Sequence, residues 1–412
     1  MRIFDPLYGA LRLPSFLEPF LLSPEFSRLA GVRLLNCDSI ELAALSEARR
    51  RSHTLGVLHL ATRLTLIEFG EEDIRALLYA LLLHDIGTPP FGHTMEYEFI
   101  RLLNLNHEQF VGRILDADHH THRKAHQIGG RQITLHQLIR ETGVEDRIRE
   151  LFAGTHPLSV LLSSDIDLDN IDNVHRMAWY LGLGSNPSDG VRLVSALQID
   201  RNGNRTLGAE HRPLVEEWAR LRAAAYRALF ESPRHRRAQA VLSRILASAM
   251  SSKDRQAPLL EQDDWLLTDE DLMAALRREE ALRPLIADLD RGAGLPEASV
   301  EFETDHKIGR PDLMRHRDTL FDTLSEIDDN LYVTLIPYGE ALERTVTFLD
   351  PRTNQAWSVG APKRVYRLHV HYGGANGRTR FNSTNKKVQG KIDQHADSAG
   401  WRIRSRSEAA AA

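Results

Sequence analysis

The chain has 412 residues, 42% of them hydrophobic and 26% charged, with a formal net charge of -5. This is the profile of a globular protein long enough for two or three domains and a large core. Its single cysteine, Cys37, excludes a disulfide framework and any cysteine-rich zinc or cluster site. The longest wholly apolar stretch, Ala76 to Leu83, is far shorter than the roughly 18 to 20 residues of a membrane-spanning helix. No basic leader followed by a long apolar run opens the sequence, so a cytoplasmic protein without a membrane partner is expected.

From Ser52 to Phe69 the residues Leu55, Val57, Leu58, Leu60, Ala61, Leu64, Leu66 and Ile67 recur at three- and four-residue spacing, which predicts a helix stopped by Gly70. Ile74 to His84 is apolar on nearly every side, the pattern of a helix buried inside a helical body. Gly87 and Pro89-Pro90 prevent its continuation. Further helical periodicity covers about 94–117, 131–152, 157–182, 210–252 and 269–288, so residues 1–327 read as one mainly α-helical body.

After Asp328-Asp329-Asn330 the texture changes. Tyr332 to Ile336, Thr345 to Leu349 and Val365 to Tyr372 are rich in β-branched and aromatic residues, with turn chemistry between them. A small β-rich (α+β) module is expected over 328–384, followed by a basic tail over 385–412. Residues 351–412 contain 12 Lys and Arg against 3 Asp and Glu, a net of +9; the remaining 40 and 54 leave -14 for residues 1–350. Such a segment is either a solvated tail or a contact for a polyanion such as nucleic acid.

The residues that carry chemistry are His53, the adjacent pair His84-Asp85, and Asp169. Imidazole nitrogens and carboxylate oxygens without thiolates suit a divalent ion such as Mn, Fe, Zn or Mg. An imidazole and a carboxylate placed after eight apolar residues would be stranded in a core unless something bound them. Asp169 is one of four carboxylates between Asp165 and Asp172, and an acidic helix N-terminus stabilised by the macrodipole would explain that run equally well.

His53, His84-Asp85 and Asp169, in that order, resemble the metal-binding signature of the HD-domain superfamily of phosphohydrolases, and more closely its deoxynucleoside-triphosphate triphosphohydrolase branch. Further stretches carry the likeness. Asp5-Pro6-Leu7-Tyr8-Gly9 is similar to a DPxHG opening, Pro24 to Leu29 to PxFQRL, and Arg50 to Val57 to RxxHSLGV. His84 to His93 is similar to HDxGHxPFxH, His107-Glu108 to a downstream HE pair, Ile166 to Asp172 to IDxDxxD, and His235 to Ala238 to HRRA. The resemblance implies a mainly α fold with an HD-domain helical body. It implies one divalent metal (Mn, Fe, Mg or Zn) on His53, His84, Asp85 and Asp169. His93 or His107 would be a general acid, with Glu108 orienting His107. Arg50, His235, Arg237, Asn170 and Asn173 would face a nucleotide substrate in a homo-oligomer.

Departures fall where substrate is read. The second His of HDxGH is Thr88, and the Gln that faces sugar and phosphate falls at Leu34. A Lys and a Tyr become Asn170 and Asn173, the sugar-binding Asp falls at Met177, and an Arg becomes Glu231. Losing cations from a site for a triphosphate weakens its capture. Hydrolysis of a dNTP is therefore weighed against a nuclease or phosphatase acting on nucleic-acid ends or other nucleotides. A two-metal HD oxygenase using His53, His84, Asp85, His93, His107 and Asp169, and a non-catalytic nucleotide sensor, are the remaining readings. The tract from His119 to His126 holds four histidines in eight residues and is read as adventitious.

Overall fold

A computed structural model describes the chain except residues 37–38, 117–125, 129–130, 252–266, 292–295, 375 and 410–412. The His-rich tract therefore falls almost wholly outside the described residues. Among them no helix is long and apolar enough to cross a membrane.

The helical body is mainly α, as its periodicity predicts. Helix α1 spans Arg50–Ala61 and α2 spans Glu71–Leu83. Glu71, Glu72 and Asp73 fill the first turn of α2, where carboxylates suit the positive end of the helix dipole. Every residue from Ala76 to Leu83 is buried, in keeping with its all-round apolar pattern. The stretch at 94–117 divides into α3 (His93–Leu103) and α4 (His107–Leu115), because Asn104 turns left-handed at φ 51°. Helix α5 (Leu168–Tyr180) is capped by Asp167, whose Oδ1 accepts the Asn170 N–H at 2.7 Å. It packs between α1 and α6 (Arg212–Glu231). Pro233 cannot continue a helix, so the 210–252 stretch divides into α6 and α7 (Pro233–Ser251). Helix α8 (Asp269–Arg277) follows. An N-terminal hairpin, β1 (Arg2–Asp5) with β2 (Gly9–Arg12), lies against α1. Strand β3 (His126–Ile128) pairs with β4 (Arg131–Ile133).

The C-terminal part differs from the boundaries read at 328 and 385. Strand β7 (Glu297–Glu303), helix α9 (Arg310–Ser325), β8 (Leu331–Ile336), β11 (Val365–Tyr372), α10 (Gly377–Ala399) and β12 (Arg402–Ala409) share one apolar core. The four strands form an antiparallel sheet in the order β12-β7-β11-β8. Val300, Phe302, Leu368, Val370 and Tyr372 lie in that core with Val388 and Ile392 of α10. Where composition reads as a basic tail, Val388, Ile392 and Ala396 recur every four residues and bury one face of a long helix. The remaining strands join the helical body instead. β9 (Val346–Leu349) and β10 (Ala356–Val359) extend a sheet with β5 (Gln198–Ile199) and β6 (Arg205–Thr206), and Val346 and Phe348 are buried in the main core.

Candidate metal centre

His53 lies one turn into α1 and is completely buried. Its Nδ1 stands 2.6 Å from Asp172 Oδ2 and its Nε2 2.6 Å from Asp169 Oδ1, both on α5. The two helices approach this closely because residue 56 is glycine: a Cβ there would collide with the Asp172 carboxylate and the Arg176 guanidinium. Asp172 is held in turn by Arg176, whose Nε donates to Oδ2 at 2.9 Å and whose Nη1 donates to Asp5 Oδ2 at 3.0 Å. The Asp5 of the N-terminal hairpin thus supports His53 through two buried ions.

His84 caps the C-terminus of α2, and its Nδ1 donates to the Leu81 carbonyl at 2.6 Å. This leaves a buried Nε2 lone pair with no hydrogen-bond partner, 3.6 Å from Asp85 Oδ2 and 3.8 Å from Asp169 Oδ1. Asp85 Oδ1 accepts from Arg50 Nη1 at 2.6 Å and Thr88 Oγ1 at 3.1 Å, so Oδ2 is the oxygen facing the histidines. Burial disfavours the Asp85 anion, but Arg50, His84 and His53 outweigh it and hold its pKa well below the usual carboxylate range. Thr88, in the position of the superfamily's second histidine, is thus a support for the ligand.

The donor set fits a divalent cation. Ligand atoms of His53, His84 and Asp85 lie within 4.8 Å of one another, and Asp169 faces both histidines. A buried imidazole lone pair that meets only carboxylate oxygens is satisfied by a cation between them. His53 shows the same demand for positive charge. Burial lowers its pKa, yet hydrogen bonds to Asp169 and Asp172 outweigh burial and raise it to about 10, so a proton is held where a metal could be.

His93 and His107 gather around a different carboxylate. Phe91 and Gly92 lead into α3 with φ of 57° and 48°, a left-handed turn that is strained at Phe91. Asp269, at the start of α8, accepts the Phe91 N–H at 2.7 Å and the Arg33 N–H at 2.9 Å and so pins this loop. Three residues past His93, the buried Glu96 places Oε2 2.8 Å from His93 Nδ1 and Oε1 2.5 Å from His107 Nδ1. It also accepts the His107 N–H at 3.0 Å. Burial raises the Glu96 pKa, but its two histidines drive it far below the carboxylate range. Glu96 was not singled out in the sequence, although its i,i+3 spacing from His93 was the available signal. Glu108, assigned to orient His107, is exposed at the helix start, and Glu96 holds His107 instead.

The substrate-facing residues divide. His235 is buried with an unpartnered Nδ1 and lines a cavity of about 290 Å³ with His93. Arg50 is committed to Asp85. Arg237 is buried and does not line that cavity. Asn170 accepts from Arg344 at 2.9 Å, and Asn173 keeps a buried, unpartnered Oδ1. Leu34 and Met177 are packed into the main core, and Glu231 accepts the Tyr338 hydroxyl at 2.9 Å. On β12, Arg402 pairs with Glu303, Arg404 with Glu301 and Arg406 with Asp393, so these cations already have carboxylate partners.

Comparison with known proteins agrees with this geometry. A family model described as HD domain matches residues 50–177, the span from α1 through most of α5. The chain is 26% identical over 241 residues to the Bacillus subtilis (strain 168) protein YwfO, covering 56% of this chain and 51% of that protein. It is 30% identical over 129 residues to the Bos taurus deoxynucleoside triphosphate triphosphohydrolase SAMHD1, covering 28% and 21%. It thus spans about half or less of these curated relatives. The crystal structure of a phosphohydrolase from Bacteroides thetaiotaomicron shares the fold with a TM-score of 0.66 at 17% identity, over 91% of this chain and 100% of that one. A hypothetical protein from Aquifex aeolicus does so with a TM-score of 0.61 at 18% identity, over 95% and 99%. The residues that could hold a metal lie inside the matched span, so residues 50–177 of this chain form an HD domain.

Proposed function

We propose that this protein is a divalent-metal-dependent phosphohydrolase acting on nucleotides, and that it converts a dNTP to deoxynucleoside and triphosphate. The observation that carries this reading is the pairing of two groups: His53, His84, Asp85 and Asp169 as ligands, and His93 and His107 held by Glu96 beside them in the chain. The name of the partly matching SAMHD1 supports the substrate class.

A divalent ion on the four ligands would supply Lewis acidity and lower the pKa of a bound water toward neutrality. The chain's own residues do the rest. Asp172 and the Leu81 carbonyl orient the two imidazoles, and Arg50 and Thr88 fix Asp85. Glu96 accepts the Nδ1–H of His93 and His107, which turns their Nε2 edges outward to give or take a proton at the leaving oxygen. His93, Glu96 and His107 also bring three ligand atoms within 4.8 Å of one another, so a second ion there would favour the two-metal oxygenase reading, and the number of ions per chain separates the two.

The test is incubation of purified protein and Mn with each of the four dNTPs. Triphosphate and deoxynucleoside are expected in equal amounts from at least one, and none after chelation. Intact dNTPs alongside cleaved monophosphates or oligonucleotides would rule out the dNTP assignment.

A further inference from the structure

Two cations lie near the positions, 170 and 231, where the resemblance would place a Lys and an Arg. Arg222, on α6, is 2% exposed, and its Nε and Nη1 have no hydrogen-bond partner. Its guanidinium lies over Tyr226, 4.4 Å from the ring centroid. Arg344 reaches in from the segment between β8 and β9, and its Nη1 donates to Asn170 Oδ1 at 2.9 Å. Asn170 is next in sequence to the ligand Asp169. The two guanidinium charges oppose each other: burial lowers the Arg222 pKa and Arg344 lowers it further, while Tyr226 and the Asp167 carboxylate act to raise it. Neither arginine forms an ion pair with a carboxylate among the described residues. Asp167 attracts Arg222 without forming an ion pair with it, and a buried cation so incompletely compensated is costly, so this arrangement suits a negatively charged ligand.

Arg344 also lines a cavity of about 450 Å³ with Tyr97, Lys307, Arg317 and Glu340, where Lys307 pairs with Glu340 at 3.1 Å and Arg317 with Asp318 at 2.7 Å, so Arg344 is the cation there without a carboxylate partner among the described residues. Tyr97, Arg317 and Leu335 are shared with the cavity of about 290 Å³ that reaches His93 and His235. The Arg317 guanidinium stacks on Tyr97 at 3.4 Å. The cavity that holds His93 and the Arg344 cavity therefore adjoin at Tyr97 and Arg317, and the Arg344 cavity is lined by β8, α9 and the segment after β8.

We infer that Arg222 and Arg344 grip the phosphates of a free nucleotide substrate, in place of the residues absent at 170, 173 and 231. This deepens the phosphohydrolase reading and rests on it for the word substrate. The binding step itself is testable without turnover.

The probe is inorganic tripolyphosphate, titrated calorimetrically into the chelator-treated full chain. Arg344→Ala should weaken binding about 10- to 100-fold, the range for losing a charge-assisted hydrogen-bonded contact, and Arg344→Lys should retain part of it. Arg222→Met keeps side-chain bulk and removes an unpaired buried charge. It should weaken binding while leaving the melting temperature unchanged or higher. Equal tripolyphosphate affinity in wild type and Arg344→Ala overturns the inference, as does Arg222→Met that melts lower yet binds normally. If wild type turns over dNTPs in the first case, the hydrolase reading survives. If tripolyphosphate binding depends on both arginines but no nucleotide is hydrolysed with Mn, the grip stands and the hydrolase reading fails.

Discussion

In the proposed mechanism, Glu96 is the residue on which the acid–base half of the site depends. One buried carboxylate fixes the tautomer of two histidines, so replacing it with an amide keeps the shape and removes the charge. Glu96→Gln is expected to lower kcat by about 10²- to 10⁴-fold, the usual worth of positioned acid–base catalysis. Metal content should remain that of wild type, because Glu96 groups with His93 and His107 and not with His53, His84 and Asp85. Rate and metal content measured on the same preparation check both statements. The four ligands were legible as motifs because the superfamily spacing fixes them. Their supports were less so. Asp172 and Arg176 stand four apart on one helix, a visible pairing signal, but that Asp172 meets His53 depends on how α1 and α5 pack.

Between elements, one tight tolerance is where α1 crosses α5. Gly56→Ala would push a methyl group into Asp172 and Arg176. A loss of about 1–3 kcal/mol is expected, typical of overpacking a tight interior, with weaker metal binding because Asp172 orients His53. Urea unfolding and metal titration measure the two effects. A helix glycine is usually a simple cost; here sequence periodicity marks the helix but cannot show what crosses it. The same limit explains the break at Asn104, which Leu103 and Leu105 flank, whereas the break at Ser232-Pro233 is legible in the proline. Strand β7 is weakly marked for a related reason: Ala298, Val300 and Phe302 alternate as a strand should, but Ser299 and Glu301 lie between them and Glu297 and Glu303 at the ends, a run with only three apolar residues.

At the scale of the whole molecule, the sheet meets the helical body through charge. Arg236 of α7 donates to both oxygens of Glu297 at 2.9 and 3.0 Å, and His369 Nδ1 lies 2.7 Å from the same carboxylate. Burial pushes the neighbouring His371 down to about 3. Burial acts to raise Glu297, but His369, His371 and Arg236 bring it down to about 2. Both folded pKa values lie below their ordinary ones, so in acid the unfolded chain binds more protons and stability falls as pH falls. From pH 6.5 to 4.5 the His371 contribution alone is about 2–3 kcal/mol. His371→Gln should flatten the urea midpoint across that interval, and an unchanged slope would show that His371 does not carry it. The basic charge of the C-terminal segment was legible from composition, whereas its folding into α10 and β12, with the β12 arginines paired to carboxylates, was not.

The central claim is that His53, His84, Asp85 and Asp169 hold one catalytic divalent ion. Metal analysis of the Mn-loaded full chain, run beside His84→Ala with its helical circular dichroism intact, tests it most directly. The expected result is about one ion per wild-type chain, as in a mononuclear site, and loss of that ion in the variant. Two ions per chain, or an ion retained without His84, would contradict it.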